Sequence, residues 1–365
     1  MHERDLSRTG LCHTMFGALR RVGWRSTRSR VHPAACLKWR DNTSQPAATA
    51  GDQLGQLALT AAQAALRYSA SLHRLYSPGT VGLAAHLTIR SITRSSAMAG
   101  FPHDYHLHSS LSVDCDVPME AQCKRAIELG IRELCITEHC DWHPLDMGVG
   151  YYRPEAYFAE LERCRATFAG RLILRAGVEL SEVHSYHAEA AALTSAWPYD
   201  LVLGSLHWVD DMIVLDEPYF AQRSATESYN RYFAELAAMV RAGGFDIVGH
   251  LDVPKRVGFR LFNGYRAEDY AEPIQDVLRA CVETGIGIEL NTSTYRMGLG
   301  EPSPSLAVAR WYRQLGGEIL TIGSDVHHPS TVGSFFPEAL DLARAAGFRY
   351  LANFEQRTPM FTSID

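Results

Sequence analysis

The residues of this chain best suited to chemistry come in short strings, and the first is Asp104-Tyr105-His106-Leu107-His108, with Asp114 following shortly after. Strand side chains alternate, so two histidines at i and i+2 share one face. Two imidazoles converging on one point suit a metal ion better than an apolar core. His-x-His alone is a weak signal, but it is answered by Glu138-His139, Glu179, Ser205-Leu206-His207, Gly249-His250-Leu251-Asp252, Glu289-Leu290-Asn291 and Ser324-Asp325-Val326-His327. Each has an ordinary reading by itself. A single histidine such as His207 is usually a hydrogen-bonded core or surface residue, Glu179 a solvated carboxylate, Asp325 a helix cap. Independent ordinary readings at seven successive strand ends are a poor joint explanation. Histidines and carboxylates without cysteine make a hard nitrogen-and-oxygen set that suits Zn, Mn or Fe and is too rich for one ion. Two or three metals sharing a carboxylate would use it fully. Such clusters clamp a phosphoryl group and lower the pKa of a water.

These strings need a scaffold that delivers one strand end after another to a single rim. Apolar runs predict strands over 104–108, 133–137, 171–179, 200–206, 245–249, 286–291 and 318–323. Between them lie helical stretches with recognisable punctuation: Pro118 opens one that Gly130 closes, and Pro154 opens another that Gly170 closes. Over Thr226–Arg241, Tyr229, Tyr232, Phe233, Leu236, Met239 and Val240 recur at helical spacing and mark a face packed on the sheet. Strands alternating with helices imply parallel βαβ units. A closed or nearly closed barrel is expected, with an open doubly wound sheet as the alternative. No glycine-rich nucleotide loop follows the first strand, which counts against a dinucleotide-binding sheet. Barrels of this kind carry their chemistry at the C-terminal ends of the strands, where the strings lie.

Charge divides the 365 residues unevenly. Residues 1–97 hold 13 Lys+Arg against 4 Asp+Glu; of the chain's 35 and 41, the remainder therefore holds 22 and 37. An acidic body argues against a nucleic-acid-coating surface and leaves room for a local basic pocket. Residues 1–97 read as an N-terminal extension, disordered or belonging to a start placed too early, with Met98 as the favoured start and 98–365 as the functional domain. The Arg-rich prefix also resembles an organelle transit peptide, and within it Gly51–Tyr76 has helical spacing. The cysteines are scattered, with no CxxC pair, and read as reduced cytoplasmic thiols. No stretch approaches the roughly 18–20 apolar residues needed to span a bilayer. A cytoplasmic protein with no membrane partner is expected; the oligomeric state is open.

The set His106-x-His108, Asp114, Glu138-His139, Glu179, Ser205-x-His207, His250 and Asp325-x-His327 resembles the PHP (polymerase and histidinol phosphatase) superfamily across residues 104–328. The phrases around His106, His250 and Glu289-Leu290-Asn291-Thr292-Ser293 are most similar to its monofunctional histidinol-phosphate phosphatases. The resemblance implies a distorted (β/α)7 barrel with a centre of two or three divalent metal ions. His106, His108, Glu179 and Asp325 would hold the first ion. Glu179 would bridge to a second, completed by His207 and His250. Asp114, His139 and His327 would hold a third. Many relatives have histidine where Asp114 stands, which makes that site more negative here. The Asp-x-His alternation favours His327 over His328.

The implied reaction is hydrolysis of a small phosphate monoester, L-histidinol phosphate above all, with Glu179, Asp325 and His327 in the catalytic group. Arg256 and Arg296, in rim loops, are the candidate substrate-binding cations, because a guanidinium forks onto phosphate oxygens; Lys255 is a weaker candidate. Trp142, Tyr151 and Trp208 are candidates to stack on an imidazole. The alternatives are a PHP-type phosphoesterase for nucleotides, nucleic-acid ends or phosphotyrosine, and a non-catalytic scaffold. Nucleic acid is not expected as a partner.

Overall fold

The computed structural model describes Phe101 and residues 103–365. The expectations for residues 1–97, Gly51–Tyr76 included, lie outside the described residues. The central sheet has seven parallel strands in the order β1, β2, β3, β4, β7, β8, β9. They are β1 (Asp104–Leu107), β2 (Glu133–Cys140), β3 (Ile173–Ser181), β4 (Leu201–Ser205), β7 (Ile247–Val248), β8 (Gly287–Asn291) and β9 (Leu320–Gly323). Between β4 and β7 lies a small antiparallel pair, β5 (Trp208–Val209) and β6 (Met212–Ile213). The chain ends in the hairpin β10 (Tyr350–Glu355) and β11 (Thr358–Ser363).

The sheet closes on itself beyond the end of β9. Leu107 and Val326 form a parallel bridge. Asp325 N donates to His106 O (2.6 Å) and His108 N to Val326 O (3.1 Å). Asp104 adds a side-chain clasp, accepting from Ser324 N at 2.9 Å and from the Ser324 hydroxyl. The expected nearly closed (β/α)7 barrel is the architecture found, which the regular βαβ alternation already favoured over an open sheet.

Alternation along β3 shows how one sequence serves two layers. Leu174, Ala176, Val178 and Leu180 enter the main apolar core, while Gly177, Glu179 and Ser181 take the opposite face. On the inner side, Tyr105, Cys135, Leu201, Leu203 and Ile247 pack with Ala352 and Phe354 of the C-terminal hairpin. The helix Ala225–Ala242 buries the expected stripe of Tyr229, Tyr232, Phe233, Leu236, Met239 and Val240, each contributing roughly 1.5–3 kcal/mol. It starts at a capping box, Ser224 Oγ accepting from Glu227 N while Glu227 Oε2 accepts from Ser224 N, and stops at Gly243 with φ of 71°. The six described cysteines are buried and free. Among the described residues no helix is long and apolar enough to cross a membrane.

Strand limits differ from expectation in both directions. β2 and β3 run on to Cys140 and Ser181, past the expected ends at 137 and 179, because backbone pairing continues after the apolar side chains stop. β7 is only Ile247–Val248, as the chain turns sharply at His250, whose φ is positive. Where β8, β9 and β1 converge, Gly323 leaves no space: a Cβ there would collide with Glu289 Oε1 and His106 Cβ. Gly323→Ala should therefore destabilise the fold by about 1–3 kcal/mol, read as a lower denaturant midpoint. An unchanged midpoint would mean that the strands are not packed as described.

Candidate metal centre

Glu179 occupies the middle of the rim. It is fully buried, and β3 carries it between β2 and β4. Its Oε2 lies 3.2 Å from His106 Nε2, 3.5 Å from His108 Nε2 and 3.1 Å from His139 Nδ1. Its Oε1 lies 3.0 Å from His250 Nε2 and 3.6 Å from His207 Nε2, and accepts the Ser205 hydroxyl at 2.6 Å. One carboxylate thus touches five imidazoles from four strand ends, with its two oxygens divided between two groups of them.

Asp325 stands on the other side of His106 and His108. Its Oδ1 is 3.9 and 3.5 Å from their Nε2 atoms. Its φ is +50°, a left-handed conformation that aspartate tolerates better than most residues. Asp114 Oδ2 joins His327 at 2.9 Å and His139 at 3.5 Å. His328 instead bonds Ser330 through Nδ1, as the alternation predicts.

Four groups bring potential ligand atoms within 4.8 Å of one another: His108, His139 and His327; His106, Glu179 and His250; His106, His108 and Asp325; and His139, Asp141 and His207. The electrostatics fit cations. Burial disfavours charge on Glu179, but His106 and His139 outweigh it and hold the carboxyl well below the usual range. Asp325 is held down in the same way against burial by Arg256 and His106, and Asp114 by His327 and His139. Burial, reinforced by His139 and His327, pushes His108 down to about 3. Burial likewise takes His207 to about 4. His106 and His139, despite burial, are held well above the ordinary imidazole value by the surrounding carboxylates. Three carboxylates therefore stay ionised and draw positive charge onto the nearest rings, a role a divalent ion would take over. His108 Nε2 and His327 Nε2 are buried without a properly directed hydrogen bond, although carboxylate oxygens stand 3.5 and 2.9 Å away. Buried ring nitrogens that face carboxylate oxygens at these distances frame a place that a cation fits.

Around the ligand atoms lies a layer that sequence reading left without a role. Glu289 Oε1 meets His106 Nδ1 at 2.8 Å, and its Oε2 accepts from His250 N (2.7 Å) and from Asn291 Nδ2 (3.1 Å). Asp141 and Ser181 back His207, and Ser112 and Glu138 back His108. Asp141 and Ser181 are each two residues beyond an expected site residue, so strands read to their true ends would have placed them on the same faces.

The two arginines reach the centre differently. Arg256 Nη2 meets Asp325 Oδ2 at 2.5 Å and the Ser293 hydroxyl at 2.7 Å. Arg296 donates to the carbonyls of Ser324 (2.6 Å) and Asp325 (2.8 Å) and to Ser334 Oγ (3.1 Å), which fixes the turn that presents Asp325. Lys255 is fully buried on Asp252, Glu301 and the Pro302 carbonyl. Of the aromatic candidates, Trp208 stacks on His143 with centroids 4.2 Å apart and donates to Asp146. Tyr151 is exposed.

The chain is similar to the histidinol-phosphatase of Lactococcus lactis subsp. lactis, at 28% identity over 253 residues, covering 69% of this chain and 93% of that protein. A protein of Deinococcus radiodurans named "Probable histidinol-phosphatase" matches at 29% over 255 residues, 67% of this chain and 94% of that one. Among solved structures, the histidinol phosphate phosphatase of Lactococcus lactis, determined with zinc, L-histidinol and phosphate, superposes with a TM-score of 0.65 at 24% identity. That match covers 71% of this chain and 98% of the other. The PHP domain matches residues 104–293, more than half of the sequence and the segment that carries every strand from β1 to β8. With that match, and with the ligand-rich rim of a seven-stranded barrel, the chain belongs to the PHP domain family.

Proposed function

We propose that this chain is a metal-dependent phosphomonoesterase whose substrate is L-histidinol phosphate, which it hydrolyses to L-histidinol and phosphate. The observation that carries the reading is Glu179 set among five imidazoles on the rim of a PHP barrel. The relatives named histidinol-phosphatase supply the substrate. Two or three ions of Zn, Mn or Fe fit the donor set, and when bound they polarise phosphoryl oxygens and make water nucleophilic at neutral pH.

In this reading His106, His108 and Asp325 hold one ion with Glu179, which also faces a second at His207 and His250. Asp114, His139 and His327 hold a third. Glu179, Asp325 and His327 form the catalytic group. Arg256 and Arg296 supply the positive charge that orients the phosphate, Arg256 through a guanidinium already against Asp325. Burial of His106, His108, Glu179, His250 and Asp325 strengthens their interactions by excluding water.

The direct assay is phosphate release from L-histidinol phosphate beside nucleotide monophosphates, phosphotyrosine and an aryl phosphate. It is run before and after chelation and after return of Mn, Zn or Fe. The expected outcome is a strong preference for histidinol phosphate, lost on chelation and restored by metal. Broad or nucleotide-selective hydrolysis would keep the metal centre and remove this substrate. Glu179→Gln should lower turnover by roughly 10³-fold or more and reduce bound metal measured by elemental analysis. Near-normal turnover in that variant would defeat the bridging role.

A further inference from the structure

A histidine that gives one ring nitrogen to a cation must carry its proton on the other. His106, His108 and His207 each turn Nε2 toward Glu179, so what stands at Nδ1 decides whether Nε2 is bare. At His106 it is a carboxylate, Glu289. At the other two it is a serine hydroxyl: Ser112 Oγ lies 3.1 Å from His108 Nδ1, and Ser181 Oγ lies 3.0 Å from His207 Nδ1.

A hydroxyl has one proton, and in both cases a carboxylate already takes it. Ser112 donates to Glu138 Oε2 at 2.7 Å, and Ser181 to Asp141 Oδ1 at 2.5 Å. Glu138 also accepts the backbone N–H and the hydroxyl of Ser109, so it acts as an acceptor throughout. Toward the ring each serine oxygen can then only accept, and the ring nitrogen facing it is N–H. Ser112 is pinned further by His139 N, which donates to it at 3.0 Å. Both serines and both acids are buried, out of reach of competing water.

We propose that Ser112 and Ser181 are positioning residues, relays that join the buried carboxylates Glu138 and Asp141 to His108 and His207 and lock both rings as the Nδ1–H tautomer with Nε2 bare. The assignment rests on the metal-centre reading above. The relays are needed because Glu179 competes for the same protons. A ring that lost its acceptor at Nδ1 would gain by moving the proton to Nε2, where a Glu179 oxygen lies within 3.6 Å. In that tautomer no lone pair would remain for a cation.

The test uses the full chain stripped of metal, with Ser112→Ala and Ser181→Ala as the variants. Ser228→Ala is the control, since that buried hydroxyl bonds only its own helix, donating to Ser224 O. Three quantities are measured: zinc affinity by competition with a chromophoric chelator, thermal unfolding without metal, and ring ¹⁵N shifts after selective histidine labelling. Ser112→Ala and Ser181→Ala should each weaken zinc binding about 10–100-fold. Each should leave the metal-free protein folded and move one ring from the Nδ1–H to the Nε2–H pattern; the control should do neither. Zinc affinities within about twofold of the unaltered protein would overturn the relays and leave the metal centre standing. Two rings already in the Nε2–H form in the unaltered metal-free protein would overturn them without any variant. If the unaltered protein takes up no zinc, the metal-centre reading falls and the relays fall with it.

Discussion

A carboxylate with no exposed surface, surrounded by imidazoles, is the constraint on which the rest of this barrel depends. Taking Glu179 out of water is tolerable only because charge and donors are supplied on every side, and leaving such a buried charge unpaired costs about 3–5 kcal/mol. Its ring contacts come from β1, β2 and the ends of β4 and β7, while Ser205 donates from the last position of β4. No single βα unit could assemble this. The strands must stand side by side in register, and closure of β1 against the end of β9 adds Asp325 and His327.

Packing outside the rim exists to hold that register. Leu174, Ala176, Val178 and Leu180 fix β3 against the helices, so the alternate positions cannot slip by one residue without exchanging core for site. Glu289 ties two strands of the site together by contacting the His106 ring and the His250 backbone at once. The left-handed conformations at His250 and Asp325 serve the same purpose. They turn the chain abruptly at the strand ends, and the surrounding contacts sustain a backbone that neither residue would choose alone.

How much of this was legible in the sequence follows from where its signals are strong. Parallel strands and helices were readable because apolar periodicity is a long-range, redundant signal, and the residues of the rim were readable because His, Asp and Glu at strand ends are conspicuous. Asp141 and Ser181 escaped because strand limits drawn from hydrophobicity stop where side chains become polar, although the ladder continues beneath them. Glu289 was visible at its strand end, but only the fold brings it against a histidine far away in the chain. The double engagement of Arg296 with the Asp325 turn was likewise invisible, since backbone acceptors carry no residue signature.

The barrel's seam has a thermodynamic meaning. β1 and the end of β9 meet through one bridge, two flanking backbone bonds and the Asp104 clasp. His106 and His108 stand on one side of it, Asp325 and His327 on the other. An ion gripped from both sides would act as a rivet across the joint. By mass action, whatever free energy its binding releases would be added to the stability of the closed ring over the open one. Circular closure and ion retention would then be two readings of one equilibrium.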